Sequence, residues 1–398
     1  MATAGGDGDP PQPFPADLDD NGFPALPSSP AATTTTSSGF AEDFYRSGTD
    51  WSSLRAPPPR RPPPEGAPGV KAKGKEGGSL VQSSLFQAHF HHDHYGGLTK
   101  KWCHGPIYCS ALTARLVKMC LSINSDYICP LELDTEYVIE GVTVTLLEAN
   151  HCPGAALIHF LLSDGKTYLH TGDFRASRSM QLHPLLQRGR INLLYLDTTY
   201  CNPKYKFPPQ EDVIDFVVST ARRYLKKQPK TLIVVGAYSI GKENVYLAIS
   251  QALEVPIYTD ASRRRILHSF GWTDLSKRIC PCNQSSPLHV LPLGSVNHEN
   301  LKKYLGTLNQ RFLAVLAFRP TGWTFSEATG KQLDLIKPRS NGSVTIYGVP
   351  YSEHSSFTEL KDFVMFVRPL KVIPTVNVGN AASRDKMQAY FREWLKGS

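Results

Sequence analysis

From His89 onward the chain sets His89, His91, Asp93 and His94 in His-x-His-x-Asp-His spacing, followed by Tyr95-Gly96-Gly97. A lone histidine is more often a structural or surface residue than a ligand. Three imidazoles and a carboxylate packed this tightly make sense mainly when neutral imidazoles meet a cation. In an extended or turning backbone His89 and His91 project to one side, and the turn after them brings Asp93 and His94 round to a neighbouring position. One loop then serves two adjacent metal sites, and the fold must bring further ligands to it from elsewhere.

The rest of the chain says where such a fold lies. Fourteen of the 31 prolines precede residue 79, together with a Thr33 to Ser38 run, a Pro57 to Pro64 stretch and a Gly/Lys tract from Gly69 to Gly78. A segment of this kind buries too little apolar area to offset its ordering entropy, so residues 1–79 read as a disordered tail. Its apolar patch, Phe40, Phe44, Tyr45, Trp51 and Leu54, reads either as a short docking motif for a protein partner or as chance aromatic content. The tail through residue 78 carries a net −3, which leaves +11 on residues 79–398. A basic folded part suits a polyanion such as nucleic acid once a site supports it.

After Ser79 short β-rich runs alternate with helical patterns. The runs are Val142 to Leu147, Ala156 to Leu162, Thr167 to His170, Leu193 to Leu196, Thr231 to Val235, Ser343 to Tyr347 and Lys371 to Val378. Helices are expected at Glu211 to Lys227, Ser356 to Val367 and Ser383 to Leu395. This is an α/β alternation without a fixed repeat. The stretch 201–340, poorer in strands and richer in basic clusters such as Arg263-Arg264-Arg265, reads as an inserted second domain between 80–200 and 341–398. No apolar run reaches 18 residues and the first 30 residues hold five Asp but no Lys or Arg, so neither a spanning helix nor a secretory signal is expected, and no membrane partner. Eight cysteines without a C-x-x-C pair fit reduced thiols.

Two residues at strand ends extend the metal motif. His151 follows the run Val142 to Leu147 and stands three residues before Gly154, and Asp173 follows Thr167 to His170 and stands beside Gly172. Taken singly, either is a turn residue. Counted with the first motif, His89, His91, His151 and Asp173 complete one zinc site, and Asp173 bridges to a second metal held by Asp93 and His94.

These residues resemble the metallo-β-lactamase fold, which implies an αββα sandwich with metals at one edge. Downstream, Leu196-Asp197-Thr198-Thr199-Tyr200-Cys201 and Pro350-Tyr351-Ser352-Glu353-His354-Ser355-Ser356 resemble motifs A and B of the β-CASP nucleases. With Tyr238-Ser239-Ile240-Gly241-Lys242-Glu243, Phe318-Arg319-Pro320-Thr321-Gly322-Trp323 and Ile373-Pro374-Thr375-Val376-Asn377-Val378-Gly379, they are similar to the DNA cross-link repair exonucleases, relatives of Artemis and Apollo. The similarity covers about residues 88–395.

The resemblance implies a zinc-dependent 5′-to-3′ DNA exonuclease of interstrand cross-link repair, acting in the nucleus on single-stranded or damaged DNA with a 5′ phosphate. Val376 stands where RNA-processing members carry a histidine for the second metal, which implies DNA and one tightly held zinc with a weaker second divalent metal. Asp93 orients or deprotonates the attacking water, His354 protonates the leaving oxygen, and Asp197 fixes the His354 tautomer. Ser239, Lys242, Ser355 and Ser356 are candidates for the 5′ phosphate. One departure stands out: the Asp-bearing strand pair that precedes the His motif in the family has no counterpart, since no Asp lies between Asp50 and Asp93. A catalytically impaired isoform, an RNA-processing enzyme and a small-molecule metallohydrolase are the alternatives.

Overall fold

The computed structural model describes residues 84–188, 190–283, 285–322 and 333–396; the expected tail, its Phe40 to Leu54 patch and Trp323 lie outside them. Three sheets organise these residues. Short parallel strands β1 (Leu85–Phe86), β2 (Ile107–Ser110) and β3 (Ile128–Leu131) form the first, with helix α1 (Ala111–Leu121) between β2 and β3. The second contains β4 (Glu136–Ile139), β5 (Val142–Glu148), β6 (Ala156–Leu161), β7 (Thr167–His170) and β8 (Ile191–Leu196), and β16 (Lys371–Pro374) is its far edge beside β8. The third runs in the order β11-β10-β12-β9-β13-β15-β14, with β9 at Thr231–Ala237, β10 at Ile257–Tyr258, β11 at Ile279–Cys280, β12 at Leu288–Pro292, β13 at Ala314–Pro320, β14 at Arg339–Asn341 and β15 at Val344–Val349. The α/β class expected from the sequence is borne out.

Strand direction is what builds the functional edge. In the second sheet β4 to β7 pair antiparallel in sequence, whereas β7, β8 and β16 are mutually parallel, so β5, β7, β8 and β16 all end on the same side. In the third sheet every pair is parallel except β14 with β15. Parallel strands need both faces covered. Accordingly all seven residues of β9 are buried, with Leu232 and Val234 packing into one apolar cluster while Ile233, Val235 and Ala237 face the main core. Helices α2 (Gln210–Lys227), α3 (Glu243–Leu253), α4 (Ala261–Ser269) and α5 (His298–Gly306) belong to this part, and α6 (Phe357–Val367) and α7 (Ala381–Lys396) follow it.

One expectation about the insert needs correction. Among the described residues 201–340 is poorer in strands than 80–200, as expected, and β10 and β11 are only two residues long, so no sequence period marks them. The chain does not, however, return to the second sheet at residue 341. β15 pairs with β13 from Val315↔Val344 to Pro320↔Val349, so the crossing back comes after Val349. At the other end, β1 and β4 close their sheets with no further strand beside them among the described residues. All eight cysteines are free thiols, as expected.

Gly172 joins β7 to Asp173 at φ +53°, and a Cβ there would lie 2.8 Å from the Ala88 Cβ. Ala88 in turn receives the Ala156 N–H at 3.0 Å, tying the His loop to β6. Gly172→Ala therefore combines a left-handed backbone with a clash against the residue before His89. It is expected to cost roughly 1–3 kcal/mol in denaturant unfolding. An unchanged midpoint would mean that the His loop can yield at no cost.

Candidate metal centre

The strand ends deliver the expected ligands to one place. His89 and His91 follow β1, His151 follows β5, Asp173 follows β7 and Asp197 follows β8, while Lys242 follows β9 and His354 follows β15. Open α/β sheets place their sites outside the carboxyl ends of strands because side chains and loops converge there. His91, Asp93, His151, Asp173, Lys242 and His354 all line one open cleft.

Hydrogen bonding fixes which nitrogens face inward. His151 Nδ1 lies 2.9 Å from the Glu353 carbonyl and His91 Nε2 lies 3.2 Å from the Ile240 carbonyl. A carbonyl only accepts, so both of those nitrogens carry the proton. The remaining nitrogens, His151 Nε2 and His91 Nδ1, are then lone pairs, and they face each other at 3.2 Å. Burial holds the pKa of both rings below the ordinary histidine value, which keeps them neutral. His89 is completely buried with no hydrogen-bond partner on either ring nitrogen among the described residues, and its pKa too is depressed by burial. Asp173 lies 3.5 Å from His89 Nε2 and 3.8 Å from His151 Nε2. Facing lone pairs beside a carboxylate repel unless a cation sits among them, so the donor set fits a divalent metal ion.

The second expected group adjoins the first. Asp173 Oδ2 is 3.1 Å from His94 Nε2, and Asp93 Oδ2 is 3.4 Å from the same nitrogen. Burial opposes a charge on His94, but Asp173 and Asp93 outweigh it and push its pKa up to about 10. Val376 supplies no donor side chain here; its main chain exchanges hydrogen bonds with the Thr198 hydroxyl. Cys152, which the sequence reading passed over, lies with His89, His91 and His151 in a group whose ligand atoms are within 4.8 Å of one another. Burial, with Glu353 adding to it, raises this thiol far above its usual range and favours the protonated form, a poorer ligand than Asp173.

The candidate acid–base residues are held as firmly. Asp197 Oδ2 accepts the His354 Nδ1–H at 2.8 Å, and Oδ1 accepts the Thr199 backbone N–H and hydroxyl at 2.9 and 2.6 Å. Burial works against a charged His354, but Asp197 outweighs it and raises the pKa. Arg175, also unmarked in the sequence reading, is buried and donates to the Ser352 and Pro208 carbonyls and to Glu359, bracing the loop that carries His354.

The four phosphate candidates part company. Ser355 accepts the Ala176 N–H and donates to the Phe174 carbonyl, and Ser356 forms a capping box with Glu359 at the start of α6. Both hydroxyls are thus engaged in holding the backbone. Ser239 is half-buried in the loop after β9. Lys242 lines the cleft, with its Nζ 2.6 Å from Glu353 Oε2.

Residues 273–380 match a family model described as DNA repair metallo-beta-lactamase. Over 314 residues, 79% of this chain and 65% of the other, the sequence is 64% identical to a DNA cross-link repair protein SNM1 from Arabidopsis thaliana. This chain is similar to the DNA cross-link repair proteins. It is 46% identical to the human DNA cross-link repair 1A protein, over 78% of this chain and 30% of that one, and 33% identical to a 5′ exonuclease Apollo from Danio rerio, over 73% and 48%. The chain therefore spans about a third to two thirds of the length of these relatives.

Glu243, at the start of α3, generates a pH prediction. Burial, reinforced by Glu353, raises its carboxyl from the ordinary 4.5 to about 7. The folded carboxyl holds its proton longer than the unfolded one. Stability therefore falls as pH climbs from about 4.5 to about 7, and the loss is complete above that. Glu243→Gln keeps an oxygen to accept the Gly241 N–H. It is expected to raise the unfolding midpoint at pH 8, on the order of 3 kcal/mol at most, and to change it little at pH 4. Equal shifts at both pH values would sink this account.

Proposed function

We propose that this chain carries the catalytic part of a zinc-dependent DNA phosphodiesterase, a 5′-to-3′ exonuclease of interstrand cross-link repair that works in the nucleus. The observation that carries the metal half is the pair of buried lone pairs on His91 and His151, 3.2 Å apart beside His89 and Asp173. His89, His91, His151 and Asp173 would hold the tighter ion, and Asp93, His94 and Asp173 a weaker one. Zinc bound there would polarise a phosphate oxygen and lower the pKa of water to near ~7.

The chain's own groups supply the rest. Asp93, with its side chain half exposed, lines the cleft and accepts the proton of the attacking water. His354 has its Nδ1–H fixed on Asp197, so its Nε2 is the atom that passes a proton to the leaving oxygen. Lys242 on the cleft wall is the group we assign to the terminal phosphate, since its bond to Glu353 uses one of three ammonium protons. DNA rather than RNA is supported by Val376 and by the names of the relatives, and the +11 charge on residues 79–398 supports a polyanionic partner.

The purified chain should hold close to one zinc after gentle dialysis and should lose most of it with His151→Ala. Two tightly held metals would count against the Val376 argument. On a single DNA strand it should degrade a 5′-phosphorylated end faster than a 5′-hydroxyl end, stop with chelator, and weaken as salt rises. Asp197→Asn should lower the rate by about 10–100-fold, the scale for losing a partner that orients a functional imidazole, with zinc content unchanged. A chain that holds zinc and degrades no strand would turn the reading to a binding or scaffold isoform.

A further inference from the structure

The partners of the metal-facing histidines do not come from the second sheet. His91 is held by the carbonyl of Ile240 and His151 by the carbonyl of Glu353, and both carbonyls lie in loops that leave the third sheet, after β9 and after β15. Those two loops are tied to each other by one buried contact. The Glu353 carboxylate accepts the Lys242 backbone N–H at 2.7 Å and its Nζ at 2.6 Å, and each side chain is only 6% exposed.

The local backbone is shaped for this contact. Gly241 sits at φ +97°, and a Cβ on it would lie 2.9 Å from Glu353 Oε2. Lys242 itself sits at φ +69°, a conformation that side chains other than glycine adopt at a cost. The Lys242 ammonium also lies 5.4 and 5.6 Å from the rings of Tyr238 and Tyr351. His91, Ile240, Lys242, Glu353 and His151 thus form a closed circuit with facing lone pairs at its mouth. Removing either charge leaves the other buried and unpaired, and both carbonyls lose their anchor.

We infer that Lys242 and Glu353 are positioning residues that set the metal affinity of the three-histidine site from the inserted sheet, although neither side chain is itself a ligand. The inference rests on the metal reading above. It makes zinc binding and the order of the 238–242 loop mutually dependent, since a coupling between two events acts in both directions.

The test uses the full chain, zinc and a chromophoric chelator, with no DNA. Lys242→Met and Glu353→Gln are expected to weaken zinc by ~10–100-fold, the scale for losing a group that orients a metal ligand. Lys242→Arg, which keeps the charge pair, should stay within about threefold of wild type, and the Met/Gln double variant should be little worse than the weaker single one. Amide exchange at Ile240 and Lys242 should slow on zinc addition in wild type but not in Lys242→Met, a readout that a purely structural role would not move. If Glu353→Gln fails to fold, Lys242→Met and the exchange measurement decide. Wild-type zinc affinity in Lys242→Met and Glu353→Gln, with affinity lost in His151→Ala, overturns the coupling alone. A wild-type chain that takes no zinc overturns both the coupling and the metal reading.

Discussion

Two imidazole lone pairs, on His91 Nδ1 and His151 Nε2, face each other 3.2 Å apart inside the protein. Without a cation this is a repulsive arrangement. It persists because each ring is turned by a carbonyl on its far side and because three strand ends converge on the same edge. The common direction of β5, β7 and β8 brings His151, Asp173 and Asp197 together, and Gly172 allows the His89 loop to approach Asp173 closely.

The inserted sheet is part of this construction. Its parallel strands end toward the same cleft, so β9 supplies the loop with Ile240 and Lys242, and β15 leads to Glu353 and His354. His354 reaches Asp197 across 157 residues of sequence, and His151 reaches Glu353 across 202. Arg175 fastens the two parts beside the site through Ser352, Pro208 and Glu359. The cleft exists only where both sheets are present.

Much of the donor set was legible before any fold, because ligand chemistry belongs to residue types and the His-x-His-x-Asp-His spacing is local. His151 and Asp173 were legible too, as polar residues beside glycine at strand ends. What pairing decides was not: the two-residue strands β10 and β11 have no period of their own, and β15 looked like the return to the second sheet until its register with β13 placed it in the third. Ser355 and Ser356 show the same limit at one residue's scale. A serine before a helix can cap it or bind a phosphate, and only the contacts to Phe174, Ala176 and Glu359 show what these two hydroxyls do.

Glu353 stood inside a motif that was recognised, yet it had no role there, because its partners Lys242 and His151 are distant in sequence. The sequence by itself determined the chemical inventory of the site: which imidazoles and carboxylates exist, how closely the first of them follow one another, and that the residue at 376 brings no ligand. Tertiary structure decided which nitrogen of each ring faces inward and which carboxylate is spent on a lysine. Those outcomes depend on a carbonyl or a charge arriving from another strand end, and no spacing along the chain encodes such an arrival.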